Sequence, residues 1–457
     1  MSWLRSREVW LFVVEVKRLL RLAGPIVVSQ LGQVGMNTAD TVMVGPLGPV
    51  PLAAAGLGSA MHWLATVVCI GILVGMSPMV SQAFGAGDMD RCRRVLVQGS
   101  WLALMLAVPV TLVSLVGTEL ALGLGQDAAV SDLTGGYLWA LAWGVVPFFL
   151  FMAGRQYLEA TGHVTAPMVI TFIGLAINIV ANRIFIYGAG DLVPAMGVVG
   201  SGWATTLVRW SMLAAIGIFI LRHPKLRPHT DEPFRPDGSV IGRILRVGLP
   251  VGGQFGLEMG LFAFGAFMMG WLGPLELAAH QVTINIASTT FMVALGTSMA
   301  GAIRVGQHIG ARRARRMRRA ALATYFLSVG FMGLCALAFV AFPDDLIRLY
   351  TRDPEIIRLG STLLLVAAAF QMFDGGQVAG VSVLRGAADT RTPAFIAAVG
   401  YWGIGVPVGY LLAFRAGAGP VGVWFGLTAG LAVAAVLLGV RAHRVLWRTP
   451  IDQLVSG

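Results

Sequence analysis

The sequence Leu47-Gly48-Pro49-Val50-Pro51-Leu52-Ala53-Ala54 returns 225 residues later as Leu272-Gly273-Pro274-Leu275-Glu276-Leu277-Ala278-Ala279. Three other matches share this offset to within one residue: Pro25 with Pro250, Gln82 with Gln307, and residues 158–167 with residues 384–393. Several separate matches at one offset indicate an internal duplication. The chain is therefore predicted to consist of two related halves.

Both halves are apolar enough to lie in a membrane. The 457 residues are 56% hydrophobic and 12% charged, with a mean hydropathy of +0.77. A helix that spans a bilayer needs about 20 predominantly apolar residues, and about twelve such stretches occur here. They are residues 22–45, 53–83, 95–118, 133–158, 165–188, 197–221, 245–272, 277–305, 320–342, 358–384, 393–415 and 420–446. The sequence predicts an all-α polytopic membrane protein with two pseudo-symmetric six-helix lobes.

A polar stretch divides the two halves. We predict a first lobe at residues 1–221, a cytoplasmic linker at residues 222–244 that is rich in charged residues and proline, and a second lobe at residues 245–457. Because each half holds an even number of spans, the repeats enter the membrane in the same orientation. Parallel lobes with a cavity between them are typical of transporters that work by alternating access. A duplicated scaffold without a transport role, such as a membrane sensor, is the alternative.

The net charge of +11 is a topology signal rather than a sign of nucleic-acid binding. Basic residues fall almost entirely in alternate loops, which places both termini in the cytoplasm by the positive-inside rule. The six arginines within residues 312–319 are interpreted as a membrane anchor, with a site for anionic lipid as the alternative. The expected location is a bacterial inner membrane, the expected partners are membrane lipid and small molecules, and the chain is expected to be a monomer.

Enzymatic, metal and ATP-driven functions lack sequence support. The three cysteines, Cys69, Cys92 and Cys335, are scattered and predict neither a disulfide framework nor a metal site. The seven histidines lie mostly near span ends, without His-Glu-x-x-His spacing. No Gly-x-x-x-x-Gly-Lys-Ser/Thr loop is present. We therefore expect no enzyme activity and no cofactor other than a coupling ion.

Three acidic residues, Asp40, Glu258 and Asp374, fall clearly within predicted spans. A carboxylate in the bilayer interior costs on the order of 3 kcal/mol, so intramembrane acids are functional candidates. At about 1.5 Å per residue, Asp40 lies roughly 27 Å along its span, and Glu258 and Asp374 lie roughly 20 and 24 Å along theirs. Glu258 and Asp374 are either a structural pair that shares a proton or a site for a proton or a cationic substrate.

Amide side chains lie at the depth of Asp40. Asn178 and Asn182 are one helical turn apart, about 20 and 26 Å along the fifth span, and Asn37 is one turn before Asp40. Their oxygens would suit Na+, a desolvated carboxylate would suit a proton, and interhelical hydrogen bonding is the structural alternative. Arg209, roughly 17 Å into the sixth span, is either a counter-ion for a first-lobe acid or a snorkelling or cavity-facing arginine.

The chain resembles the multidrug and toxic compound extrusion family, in its NorM-type branch, along essentially its whole length. The resemblance is carried by five motifs: residues 33–45 (Gln-x-x-x-x-x-x-Asp-Thr-x-Met-x-Gly), 278–282, 303–306, 371–374 and 384–386. Within this similarity, Phe370 stands where a relative has tyrosine, and Arg183 and Arg209 add positive charge where the family is often neutral.

The resemblance implies export of cationic amphipathic compounds in exchange for Na+ or H+. It implies ion coupling at Asp40, Asn178 and Asn182, and cation or substrate binding at Glu258 and Asp374, to which we add Phe370. The closest rival is a lipid-linked oligosaccharide flippase of the same superfamily, which generally carries cationic residues in its cavity. The charges at mid-depth here are mainly acidic, which favours a cationic cargo.

Overall fold

The computed structural model describes residues 2–191, 193–228 and 235–455, with side chains from residue 8 onward. The predicted linker at residues 222–244 lies partly outside the described residues, because residues 229–234 are not among them. Its last seven residues form the start of a helix that continues to Leu272.

The described residues form α-helices joined by short connections. They are α1 (Ser2–Val44), α2 (Pro49–Val74), α3 (Met76–Ala86), α4 (Met89–Leu115), α5 (Gly117–Gly123), α6 (Ala128–Ala142), α7 (Val145–Ala160), α8 (Thr165–Tyr187), α9 (Gly197–Arg222), α10 (Gly238–Leu272), α11 (Pro274–Gly310), α12 (Ala314–Ala341), α13 (Pro343–Arg348), α14 (Pro354–Gly386), α15 (Arg391–Ala397), α16 (Val406–Tyr410) and α17 (Gly419–His443). Turns of π-helix at Ala398–Gly405 and Leu411–Arg415 flank α16, and another, Arg444–Arg448, follows α17.

The repeated Leu-Gly-Pro sequence begins the second span of each half. Gly48 has a φ of 109° and Gly273 a φ of 153°, backbone angles that residues with a Cβ rarely adopt. Pro49 and Pro274 then stand at the first position of α2 and α11, where the missing N–H costs nothing and the fixed φ favours a helix. The duplicated motif is therefore a helix stop followed by a helix start.

The helices account for the predicted spans. Among the described residues, ten helical segments are long and apolar enough to cross a bilayer. The pair α6 and α7, bent by 49°, forms an eleventh. The remaining predicted span, 22–45, is the second half of α1, a 43-residue helix that includes Pro25.

Contacts divide the chain into two compact units. The first comprises Val28–Phe84 and Asp88–Gly252, and we call it the N-terminal unit; the second, the C-terminal unit, comprises Met1–Val27, Gly85–Gly87 and Gly253–Gly457. These limits differ from the predicted lobes, because α1 and α10 each contribute one part to each unit. The boundary between the two units thus falls within helices, at Val27 and Val28 in α1 and at Gly252 and Gly253 in α10.

Glycines explain why the start of α10 packs within the N-terminal unit. Gly71 of α2 and Gly75, which directly follows α2, lie one turn apart, and a Cβ on either would overlap the backbone of Gly252 or Gly248 on α10. Small residues at a spacing of four let two membrane helices approach until their backbones touch. The C-terminal unit uses the same device, with Gly426 of α17 against Gly409 of α16.

Candidate cation and substrate sites

The carboxylate of Asp40 in α1 is held by hydrogen-bond donors from α8 and α9. Asn178 Nδ2 and Asn182 Nδ2 donate to Asp40 Oδ1 at 2.9 and 2.6 Å, and Thr205 Oγ1 donates to Oδ2 at 3.3 Å. Both asparagines are buried, with exposed fractions of 1% and 0%. Donors of this kind satisfy an ionised carboxylate that has left water.

Helical spacing brings these donors together. Asn178 and Asn182 lie on one face of α8, and Asn182 Nδ2 is also 3.3 Å from Asn178 Oδ1. The packing of α1 against α8 is close at Gly32, where a Cβ would press on the side chain of Thr171. Asn182 Oδ1 is buried and has no hydrogen-bond partner among the described residues, so this amide oxygen has an unused capacity to accept.

A cavity of about 60 Å³ opens beside Asp40. Its polar lining comprises Gln33, Asn37, Asp40, Asn178, Thr205 and Arg209, and its apolar lining comprises Met36, Phe148, Phe151, Val208 and Met212. The side chain of Asn37 is exposed. The volume suits a small cation or one or two waters. Asp40 is the acidic residue and Arg209 the basic residue in this lining, so their formal charges cancel.

Arg209 approaches the cavity from α9, one turn beyond Thr205. Its Nη2 atom lies 3.2 Å from His62 Nε2, and its Cζ atom lies 4.8 Å from the centre of the Phe148 ring. The guanidinium interacts electrostatically with Asp40. Arg183, by contrast, is exposed on α8 and stacks over Tyr187 at 5.1 Å.

The C-terminal unit contains a second group of charges. Asp374 of α14 is 4% exposed and Glu258 of α10 is half-buried, and the two carboxyl groups interact electrostatically. Arg385, 5% exposed, interacts with Glu258 and stacks over Phe255 at 5.5 Å. Two acids and one guanidinium leave this group with an excess of negative charge when both acids are ionised.

Aromatic side chains border these acids. Phe370 lies one turn before Asp374, is 2% exposed, and packs edge-on against Phe262 and Trp424 at 6.3 and 5.6 Å. These contacts make Phe370 part of the packed core of this unit. The hydroxyl of Tyr401 accepts a hydrogen bond from Gln377 Nε2 at 2.6 Å and interacts electrostatically with both acids.

Sequence reasoning found most of these residues but missed His62, Thr205 and the electrostatic role of Arg385. Depth alone pairs Asp40 with the asparagines, and their contacts follow that pairing. Thr205 could have been found from its position four residues before Arg209, and His62 from its place inside a span. The sequence singles out Arg385 only as part of the motif at residues 384–386.

The match to a family model decides which family the chain represents. The model, described as MatE, matches residues 25–184 and 250–411, one segment in each half. The chain belongs to the MatE family. The two segments begin at Pro25 and Pro250, which are equivalent in the internal repeat. The resemblance noted from the motifs is confirmed.

Similar proteins span nearly the whole chain. A probable multidrug resistance protein NorM of Mesorhizobium japonicum is 36% identical over 436 residues, which cover 93% of either protein. A protein of the same description in Burkholderia mallei is 38% identical over 432 residues, covering 93% of this chain and 92% of the relative. The chain is therefore a membrane transporter rather than an enzyme.

Solved structures confirm the predicted fold class. A crystal structure of MATE in the bent conformation has a TM-score of 0.89 at 22% identity, and covers 98% of this chain and 99% of that one. The eukaryotic MATE transporter AtDTX14 has a TM-score of 0.86 at 20% identity, covering 97% and 98%. This MatE chain is thus an all-α polytopic membrane protein of the MATE fold.

Proposed function

We propose that the chain is a secondary antiporter that exports cationic amphipathic drugs or toxic compounds in exchange for Na+ or H+. The names of its relatives support multidrug export. The observation that carries the exchange mechanism is the carboxylate of Asp40, which accepts hydrogen bonds from two asparagines and a threonine and lines a small cavity. A carboxylate kept at membrane depth in spite of its cost supports a cation pathway.

Both coupling ions suit the chemistry of the Asp40 site. Na+ prefers oxygen ligands, which the carboxylate, Asn182 Oδ1 and the Thr205 hydroxyl could supply. A proton needs only the carboxylate, and the three donors would rearrange as the charge disappears. Transport assays in proteoliposomes, with Na+ and proton gradients imposed separately, discriminate between the two ions.

Substrate binding belongs, in this proposal, to the acids of the C-terminal unit. Glu258 and Asp374 supply negative charge, and the half-buried ring of Phe262 lies one turn after Glu258. Charge and aromatic surface together suit a cation that carries a hydrophobic body. We further propose that the chain acts as a monomer in a bacterial inner membrane, with both termini in the cytoplasm.

Asp40→Asn tests the exchange mechanism. The variant keeps the size of the side chain and a carbonyl oxygen but loses the charge that binds a cation. In everted membrane vesicles, we expect gradient-driven transport of a fluorescent cation to fall at least about tenfold, as for loss of a buried charged partner. Asp132→Asn, an exposed acid at the start of α6, is the matched control and should transport normally. Normal transport by Asp40→Asn would remove this residue from the mechanism.

A further inference from the structure

Arg209 is a half-buried cation with few partners. Its Nη2 atom contacts His62, its Cζ atom stacks on Phe148, and its Nη1 atom is buried without a hydrogen-bond partner among the described residues. A guanidinium carries five donors and stays protonated in proteins. The side chain therefore brings a permanent positive charge to the cavity of Asp40, and its hydrogen bonding is incomplete.

His62 is an uncharged hydrogen-bond acceptor for the guanidinium of Arg209. Because a guanidinium only donates, His62 Nε2 must accept, and the ring then carries its hydrogen on Nδ1. Nδ1 faces Ser114 Oγ at 3.5 Å, and Ser114 itself donates to the carbonyl of Val110 at 2.9 Å. The ring is 8% exposed. Thus His62 solvates the arginine but does not neutralise it.

Asp40 is the group that balances Arg209. Thr205, which donates to Asp40 Oδ2, lies one turn before Arg209, so the same face of α9 presents a hydroxyl and a guanidinium to the cavity. The other titratable group in electrostatic contact with both is Tyr137, whose hydroxyl lies 3.2 Å from Ser59 Oγ. With Asp40 ionised, the cavity is formally neutral.

Any cation that reaches Asp40 disturbs this balance. A bound Na+ or proton removes the negative charge that faces Arg209, and the guanidinium is left with a neutral imidazole and a phenyl ring. Like charges in a site of low dielectric repel strongly. This repulsion lowers the affinity of the site for the incoming cation, because Arg209 is a fixed part of the protein and cannot dissociate.

We propose that Arg209 is a resident competitor for Asp40, which weakens binding of the transported cation and drives its release. This inference rests on the proposed function, in which Asp40 binds the coupling cation. It assigns to His62 the role of a positioning residue that holds the guanidinium when Asp40 is occupied. A neutral residue at position 209 should therefore tighten cation binding and slow the transport cycle.

The test measures cation binding to the purified full-length protein. Binding of ²²Na+ and release of protons are followed for the wild type and for Arg209→Gln, Arg209→Lys and Arg209→Met. Whichever cation the wild type binds should be bound about tenfold to a hundredfold more tightly by Arg209→Gln, as expected for removing a nearby like charge. Arg209→Lys should stay close to the wild type, because it keeps the charge.

Two controls separate this role from a structural one. Arg183→Gln removes an exposed arginine of the same chain and should leave cation affinity unchanged. Arg209→Met keeps the stem that packs near Phe148, and it replaces Arg209→Gln if that variant does not fold. In the double variant Asp40→Asn/Arg209→Gln, the gain in affinity should disappear, since the competitor acts through Asp40.

The outcomes distinguish the two proposals. Unchanged cation affinity in folded Arg209→Gln and Arg209→Met, with binding still abolished by Asp40→Asn, would overturn the competitor role alone. Cation binding that survives Asp40→Asn would overturn the proposed function of Asp40. Tighter cation binding in Arg209→Gln and Arg209→Met, together with wild-type affinity in Arg209→Lys, supports the competitor role of Arg209.

Discussion

Gly144 separates α6 from α7 and lies directly beside the side chain of Arg209. A Cβ at this position would stand 2.8 Å from Thr206 Oγ1 and 3.0 Å from Arg209 Cδ. Gly144→Ala should therefore displace the arginine stem and cost about 1–3 kcal/mol through overpacking. We expect cation affinity at Asp40 to rise in the same direction as for Arg209→Gln but by less, as measured by ²²Na+ binding and proton release.

Gly217→Ala is the matched control for this substitution. Gly217 lies in α9, and a Cβ there would meet nothing within 4 Å. Alanine in a helix interior is favoured over glycine by about 0.5–1 kcal/mol, so this variant should be at least as stable as the wild type. If Gly144→Ala kept the wild-type affinity while Arg209→Gln did not, Gly144 would have no part in positioning the guanidinium.

At the scale of residues, depth is readable from the sequence and rotation is not. The rise per residue was enough to pair Asp40 with Asn178 and Asn182. Whether Arg209 faces Asp40, His62 or lipid depends on how α9 is rotated about its axis, and that is set by packing against neighbouring helices. Thr205 and His62 were missed for this reason.

The long helix α1 starts well before the membrane, and Glu15 fixes that part within the C-terminal unit. Glu15 Oε1 accepts from Arg304 at 2.9 Å (Nε) and 2.6 Å (Nη2), and lies 3.4 Å from His308 Nε2. Burial alone would raise the pKa of the Glu15 carboxyl, but the hydrogen bond with His308 and the charge of Arg304 lower that pKa below its ordinary value. The ionised form is thus stabilised by folding.

Glu15→Gln should make the protein less stable at neutral pH. The side chain is 5% exposed, and hydrogen bonds to a buried charge contribute about 1–3 kcal/mol, so we expect a lower midpoint of thermal unfolding in detergent. Because the folded-state pKa lies below the unfolded value of about 4.3, this stabilisation is complete above that pH. It is lost as the pH falls through the folded pKa, where the two proteins should become equally stable.

Glu8→Gln supplies the comparison on the same helix. Glu8 pairs with Arg319 at 2.6 Å, but its side chain is 62% exposed. An exposed ion pair contributes about 0–1 kcal/mol, so this substitution should change the unfolding midpoint little at any pH. A pH-independent loss of stability in Glu15→Gln would mean that packing, and not the charge, is what Glu15 supplies.

At the scale of elements, hydrophobic length predicted the spans closely and their irregularities poorly. The span at residues 165–188 corresponds to α8, Thr165–Tyr187. The extension of α1 back to Ser2, the break between α6 and α7, and the π-helical turns around α16 were not predicted. Each of these depends on contacts with other helices, whereas apolar length records only the thickness of the bilayer.

At the scale of the whole molecule, each compact unit contains a group of interacting charges that includes its predicted intramembrane acids. Asp40 faces Arg209 in the N-terminal unit, and Glu258 faces Arg385 in the C-terminal unit. The N-terminal group is formally neutral, while Asp374 gives the C-terminal group a second acid. The internal repeat predicted two related units, but the division of charge between them is not repeated in the sequence. This divergence of the two halves agrees with the proposal that they bind different ligands.

The proposal of separate ligands predicts that mutations can affect the two groups independently. Glu258→Gln and Asp374→Asn should each weaken equilibrium binding of a cationic dye at least about tenfold, since each removes a charge that is desolvated with its ligand, and shift the pH dependence of that binding. Both should leave ²²Na+ binding and proton release at Asp40 unchanged in dye-free protein. Asp40→Asn should do the reverse: dye affinity persists without a gradient, while gradient-driven transport is lost.

Dye affinity that is identical to the wild type from pH 6 to 8 in both acid variants would exclude these residues from substrate binding. Loss of cation binding in Glu258→Gln would instead place the coupling cation in the C-terminal unit, because thermodynamic coupling alone cannot abolish binding in the absence of the second ligand.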